Sequence, residues 1–201
     1  WRTNAVLSIN RNKVTELDTE GADLYKELSI GSDTQNATKT VVGKPIGQFW
    51  GYKVIGRFDK PEDFYYKDAD GNLKQVAIPD NCTIGKTETW LGDYIFADLN
   101  GDGVINNADE TFIGNPEPKF TWGLGNTFTW KGFDLTIQFS GSYGNDVLNY
   151  NRRYIEVTGG TANQLNTVMN FARVEKIDPD GPDDYRNYHV TNTGTILPRL
   201  Y

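Results

Sequence analysis

The sequence predicts an all-β fold. Three observations carry that prediction: a composition suited to strands and turns, a long stretch that alternates apolar and polar residues, and turn dipeptides between alternating runs. Gly 21, Tyr 11, Phe 10 and Trp 5 against a single Met describe strands joined by turns rather than helices. A length of 201 residues leaves room for one large domain or two small ones, each with a core.

The alternation is clearest in "KFTWGLGNTFTW". Phe120, Trp122, Leu124, Asn126, Phe128 and Trp130 share one face, and Lys119, Thr121, Gly123, Gly125, Thr127 and Thr129 share the other. This is a period of two with one polar intruder, Asn126, and it predicts a strand with one apolar face. After Lys131 and Gly132 the register resumes in "FDLTIQFSGSY". Here Phe133, Leu135, Ile137, Phe139 and Tyr143 face one way, and Asp134, Thr136, Gln138, Ser140 and Ser142 the other. Two runs joined by a two-residue turn containing glycine make a hairpin. Each strand spans roughly 11 residues, against about 5–6 in an ordinary globular strand and about 9–11 in a tilted bilayer-crossing strand. The polar faces carry Thr, Ser, Gln and Gly rather than Lys and Glu, and Trp130 and Phe133 crowd the turn like an interfacial girdle. On these residues alone two readings stand: a bilayer-crossing pair, or a long hairpin in a soluble sandwich or barrel.

Elsewhere, "WRTNAVLSI" and "KVTEL" are predicted strands around a turn at Asn10 to Lys13, and "YYKDADGNLKQV" a hairpin around Asp70 and Gly71. From Asn151 to Tyr201 the alternation is weak and "DPDGPDD" is acidic and rich in turn residues, which predicts a long surface loop. No internal repeat, low-complexity tract or interdomain linker stands out.

A net charge of −7, with no Lys/Arg block, argues against a nucleic-acid backbone as partner. One cysteine, Cys82, excludes an internal disulfide and any multi-cysteine metal site, and a single His189 argues against a histidine zinc site. The chain opens at Trp1 with no signal peptide and no apolar run of about 18 residues, and it is read as a piece of something larger. Its mean hydropathy of −0.58 does not exclude a transmembrane barrel, whose strands give no hydropathy peak.

The stretch "DLNGDGVINNAD" has the ligand spacing of a calcium loop. Such a loop puts oxygen donors at its first, third, fifth, seventh, ninth and twelfth positions, with glycine sixth for a sharp turn. Those positions hold Asp98, Asn100, Asp102, Val104 (through its carbonyl), Asn106 and Asp109, with Gly103 sixth and Ile105 placed as an inward anchor. The departure is Asp in place of Glu at the end. "DYIFA" before the loop reads as a strand, and the prolines of "GNPEP" after it forbid a long helix, so the loop is EF-like in ligands only. A calcium ion there is expected to cross-link the chain, not to catalyse. The competing reading is an Asn/Asp/Gly turn whose side chains cap its own backbone. A second calcium loop at Asp68 and Asp70 is rejected, because that alignment puts Tyr66 first and Ala77 last.

Nothing supports an enzyme. His189 lies in a polar, loop-like stretch and is expected at the solvated surface. Cys82 has neither a CxxC partner nor a nearby histidine, and "GKPIGQFWGY" lacks the spacing of a phosphate loop. Trp50, Tyr52, Tyr65, Tyr66 and Trp90 lie outside the long hairpin, as sugar-stacking, girdle or loop-core residues.

Four stretches taken in order, "WRTNAVLSINRNKVTEL", "VVGKPIGQFWGYKVIGRF", "GDYIFADLNGDGVINNADETFIGNPEPKFTWGLGNTFTWKGFDLTIQFSGSYGNDVLN" and "LPRL", resemble the C-terminal half of SusC/RagA-type TonB-dependent outer-membrane transporters. The resemblance covers nearly the whole chain and is most specific in its central block. It implies a section of a transmembrane antiparallel β-barrel with long extracellular loops, the full parent having about 22 strands around a plug. It implies residues 1–201 as a partial barrel domain, with neither plug nor final strands, in the cell outer membrane. It further implies import of glycans or peptides beneath a SusD-like surface lipoprotein, with TonB engaged through an N-terminal part not in this chain. The alternative is a secreted, calcium-stabilised β-sandwich that binds carbohydrate as an accessory module. Detergent dependence separates the two, since a transporter section exposes its apolar faces to lipid and a sandwich buries them.

Overall fold

A computed structural model describes residues 1–18, 21–30, 33–156, 163–195 and 197–199. Leu200 of the "LPRL" stretch and Tyr201 lie outside the described residues. The strands in chain order are β1 (Arg2–Ser8), β2 (Leu24–Ile30), β3 (Asp33–Thr40), β4 (Gln48–Tyr52), β5 (Val54–Arg57), β6 (Tyr65–Lys67), β7 (Leu73–Gln75) and β8 (Ile78–Pro79). They continue with β9 (Tyr94–Phe96), β10 (Val104–Ile105), β11 (Glu110–Gly114), β12 (Phe120–Trp130), β13 (Phe133–Tyr143), β14 (Val174–Lys176) and β15 (Tyr188–Val190). The described helices are one α-helical turn, Arg152–Ile155, and short 3-10 turns, so the fold is all-β as the composition predicts. None is long and apolar enough to cross a membrane, which says nothing of crossing by strands.

The chain forms two compact units, Trp1–Gly51 with Thr111–Leu148, and Tyr52–Glu110 with Asn149–Tyr201. The first holds a three-stranded antiparallel sheet in the order β1-β12-β13. The predicted hairpin is present, with Phe120 opposite Tyr143 and Trp130 opposite Phe133. Its turn residues Lys131 and Gly132 both take positive φ, 48° and 85°, the backbone a two-residue turn needs to match strand twist. No strand among the described residues covers the outer edge of β1 or of β13.

A four-stranded sheet, β11-β4-β3-β2, completes the first unit. Lys39 lies 4.1 Å from the Trp50 ring and 5.1 Å from the Tyr25 ring, and its Nζ pairs with Asp23 at 2.8 Å. Trp50 packs edge-on against Phe112 at 4.9 Å. The predicted "KVTEL" strand is not formed. Val14 instead exchanges single backbone hydrogen bonds with the turn at Gly43 and Lys44, and Asn12 accepts from the Ile46 amide, so the segment clasps a turn without entering a ladder.

The second unit is built of short strands around one core. Phe58, Phe64, Ile78, Trp90, Leu91, Ala172, Tyr188 and Val190 are buried together, with Phe58 and Phe64 stacked at 4.2 Å. Pro61 opens a 3-10 turn whose Asp63 accepts from the Asp59 and Lys60 amides, and that turn delivers Phe64 inward. The Asp70–Gly71 hairpin is present as β6 and β7. The surface loop predicted for the last fifty residues is corrected in part. Much of that stretch is irregular, but it carries β14 and β15 and contributes Ala172, Tyr188 and Val190 to the core. Three-residue strands are too short to leave a periodic signal.

Candidate functional site

The apolar face of the three-stranded sheet is uncovered. Trp122 is 40%, Phe128 41%, Leu135 56%, Phe139 56% and Phe133 75% exposed, although all lie in regular strands. The register places Leu124 opposite Phe139 and Phe128 opposite Leu135, so both strands offer one continuous apolar surface. β1 extends it, because Leu7 stands opposite Trp122 and Ala5 opposite Leu124, while Trp1 stacks on Phe128 at 5.9 Å with planes 2° apart. The intruding Asn126 is accommodated on this face: its Oδ1 accepts from the Trp1 indole at 3.2 Å and from the Thr3 hydroxyl at 2.8 Å. The opposite face carries Arg2, Asn4, Thr127, Thr136 and Gln138, with the Thr127 and Thr136 hydroxyls 3.3 Å apart. A sheet that is apolar on one side and hydroxyl- and amide-rich on the other suits hydrocarbon outside and water inside.

In the second unit, the loop from Asp98 to Asp109 follows β9, includes β10 and ends in a 3-10 turn, Asn107–Asp109. No helix flanks it, as the sequence predicts. β10 pairs in parallel with β8, which buries Ile105 to 5% exposure as the anchor. Asp98 accepts from the Gly101 amide at 2.6 Å and the Gly103 amide at 2.8 Å. Asn100 Oδ1 accepts from the Asp102 amide, Asp102 Oδ1 from the Val104 amide, and Asp102 Oδ2 from the Asn100 side-chain amide. Gly103 takes φ 85°, a conformation that side chains rarely adopt, in the sharp turn.

Asp109 behaves differently. It is fully buried, its Oδ1 accepts from the Leu99 amide at 2.8 Å and its Oδ2 from the Asn106 amide at 3.0 Å. Asn106 in turn accepts from the Ala108 amide at 2.8 Å. Asp109 therefore ties the start of the loop to its end. The Asn106 amide above all, with those of Leu99 and Asn100, holds its carboxyl below the ordinary carboxylate range against the opposing effect of burial. Tyr52 donates to Asn107 Oδ1 at 3.2 Å, and burial, with the charges of Glu110 and Asp109, pushes its phenol up. The loop spacing gave no sign of Tyr52, while the backbone role of Asp109 is of the self-capping kind that the competing reading of the turn anticipates.

The hard oxygen donors Asp98, Asn100, Asp102 and the Val104 carbonyl suit a calcium ion, with Asn106 at the rim. Asp98, Asp102 and Asp109 all accept from backbone amides, so any of these carboxylates that joins the ion shares its oxygens with the loop's own N–H groups. Among the described residues no three His, Cys, Asp or Glu side chains converge as a metal site, and outside the buried Asp109 the loop offers two carboxylates with amide and carbonyl oxygens.

The surface placement expected for His189 is corrected. It sits half-buried in β15 opposite Glu175, and its Nδ1 is enclosed with no hydrogen-bond partner among the described residues. Pairing of β15 with β14 draws it inward, which no local pattern signals. Cys82 is a half-buried free thiol. Of the aromatics outside the hairpin, Trp90 is core, Tyr65 shares a 2.8 Å hydroxyl contact with Tyr185, and Tyr66 is 49% exposed.

No family model matches the chain. Three curated relatives do, all from Formosa agariphila. TonB-dependent receptor P3 is 30% identical over 200 residues, 99% of this chain and 17% of its own length. TonB-dependent receptor P26 is 30% identical over 76% of this chain and 14% of its own, and TonB-dependent receptor P39 is 29% identical over 73% and 15%. The chain thus spans less than a fifth of the length of the relatives it matches. With an exposed apolar face on long paired strands and a match across nearly its whole length, this chain belongs to the TonB-dependent receptor family, whose place is the outer membrane.

Proposed function

We propose that the chain is a section of the barrel of an outer-membrane importer of glycans or peptides, working beneath a SusD-like surface lipoprotein. In this reading β1, β12 and β13 cross the bilayer with Trp122, Phe128, Leu135 and Phe139 against lipid. The polar face of Thr127, Thr136 and Gln138 lines the aqueous interior. TonB engages the receptor through a part outside this chain. The loop at 98–109 takes up one calcium ion through Asp98, Asn100, Asp102, the Val104 carbonyl and Asn106, with Asp109 closing the loop behind it. The ion supplies a rigid cross-link of the extracellular loop and no reaction step.

The observation that carries the reading is the uncovered apolar face on strands of 11 residues, which a water-soluble sandwich would bury. Its test has two arms. The receptor should fractionate with the outer membrane, and brominated lipid should quench Trp122 fluorescence. A receptor that stays monomeric in buffer without amphiphile, with Trp122 shielded from lipid, would support a carbohydrate-binding sandwich and overturn the importer. Deletion of the receptor should abolish growth on a particular glycan or peptide source while leaving growth on glucose intact.

A further inference from the structure

Within the second unit, a cavity of about 760 Å³ opens between the turn carrying Lys86 and Trp90, the segment 168–174, Tyr188 and Arg199. Its volume falls in the range of about 300–1,000 Å³ typical of small-molecule sites. Among the described residues its lining contains three cations, Lys86, Arg173 and Arg199, and no carboxylate, although the chain as a whole carries a net charge of −7. Two of the cations are committed elsewhere. Lys86 Nζ binds both Asp183 oxygens at 2.7 Å and the Tyr188 hydroxyl at 2.9 Å. Arg199 forks onto Asp93 and donates to the Lys86 and Glu88 carbonyls.

Arg173 is different. Its guanidinium makes one bond, Nη2 to the Met169 carbonyl at 3.3 Å, and no carboxylate among the described residues pairs with it. A guanidinium carries five N–H donors in a planar fork that fits a carboxylate through two parallel bonds, so most of this fork is free for a ligand. Trp90 and Tyr188 pack edge to face at 5.5 Å beneath the cavity, buried in the core with Lys86 Nζ 4.7 Å over the Tyr188 ring, and Phe171 adds an aromatic side to the wall. Aromatic surface next to a fixed cation suits a ring that is apolar on one face and bears an acidic group at its edge.

We infer that this cavity binds an acidic saccharide unit, its carboxylate on Arg173 and its ring against the apolar wall of Met169, Phe171 and Val174. This rests on the glycan branch of the proposed function and narrows it to anionic glycans. Lys86 and Arg199, each neutralised by a carboxylate, set the floor in place, and Arg173 selects for charge.

The test uses the receptor purified in detergent, titrated by calorimetry with a set of carboxylated oligosaccharides and their carboxyl-reduced neutral counterparts. At least one acidic member should bind, and its neutral counterpart should bind about tenfold more weakly or worse, the loss expected when a charged hydrogen bond goes unmade. Arg173→Gln should erase that preference and Arg173→Lys should restore part of it, with thermal melts of both variants unchanged because the side chain lies at the surface. Equal binding of acidic and neutral members, preference retained in Arg173→Gln, binding of acidic peptides alone, or no binding by any acidic member would each overturn the proposal. Outer-membrane fractionation and Trp122 quenching do not depend on this cavity, so its failure leaves the importer reading standing.

Discussion

The Trp1 indole donates to Oδ1 of Asn126 at 3.2 Å, and so the one polar residue on the apolar face of β12 is held by the first residue of the chain, 125 positions away. A side-chain amide facing hydrocarbon without a partner is costly, and the Thr3 hydroxyl adds a second bond to the same oxygen. Asn126→Leu removes the amide but leaves the Trp1 indole and the Thr3 hydroxyl without their acceptor, so it is expected to destabilise the sheet modestly, less than a charge at the same position. Asn126→Asp should destabilise the sheet, and heat-modifiability on gels should show a smaller folded fraction. Equal behaviour of the two variants would contradict a lipid-facing position.

The two faces of the hairpin should respond in opposite ways to charge. Leu135→Arg puts a cation on the apolar face and should cost about 2–4 kcal/mol if that position lies near the bilayer midplane. Thr136→Arg, one residue on and pointing to the other face, should cost little. Urea titration of the receptor refolded into lipid vesicles measures both. Similar costs would mean that neither face meets hydrocarbon.

Asp98→Asn and Asp102→Asn each remove a carboxylate charge of the loop and should each weaken calcium binding by about tenfold or more, since affinity in such loops follows ligand charge. Terbium luminescence sensitised by Tyr52, which donates to Asn107 in the same loop, is a direct reading. A loop whose protease resistance is the same with calcium and with chelator would leave the self-capping turn as the better account.

Asp109 should make the loop sensitive to acid. Its folded pKa lies below the unfolded value, so between the two the unfolded state holds more protons, and the stabilisation is present above the ordinary carboxylate pKa of about 3.9 and lost as pH falls through the folded value. Protease resistance of residues 98–109 should fall in that window. Asp109→Asn should flatten the dependence and cost about 2 kcal/mol at neutral pH, because an amide nitrogen replaces one acceptor facing a backbone N–H. A variant as stable as the parent would remove Asp109 as the closing tie.

Gly92 is expected to tolerate no side chain. Its φ is 90°, and a Cβ would come within 2.9 Å of Arg199 Cβ and 3.0 Å of Ala172 Cβ. Its amide also donates to the Phe58 carbonyl at 2.7 Å, inside the core of the second unit. Gly92→Ala should speed amide exchange around Phe58 and Trp90, and loss of the Arg199–Asp93 pair in Arg199→Ala should do the same at a cost of about 3 kcal/mol, because it takes the countercharge from a largely buried carboxylate. Unchanged exchange in both variants would show that the segment around Arg199 does not hold this core together.

The long hairpin was legible because its information is local. The alternation of Phe120 to Tyr143 fixes which face is apolar, and Lys131 and Gly132 fix where the chain reverses, with the register following from the turn. The oxygen spacing of the loop and its lack of flanking helices were legible for the same reason. What joins distant segments was not. The pairing of β1 with β12 connects residues more than a hundred positions apart, and nothing in "RTNAVLS" says which strand it will meet. Val14 has the same alternating neighbours as a strand residue but finds a turn instead of a ladder, since its partners at Gly43 and Lys44 are set by the fold.

By itself, then, the sequence determined the all-β class, the two faces of the hairpin and the donor order of the loop, because each depends on side chains within a few residues of one another. Tertiary structure alone decided that Asp109 is buried as a tie, that His189, Tyr188 and Val190 turn inward, and that Arg173 is left with most of its donors free beside an aromatic floor. At β15 and Arg173 those outcomes come from packing between segments far apart in the chain, whereas the Asp109 tie is local, to Leu99 and Asn106, and is buried only once the loop is folded.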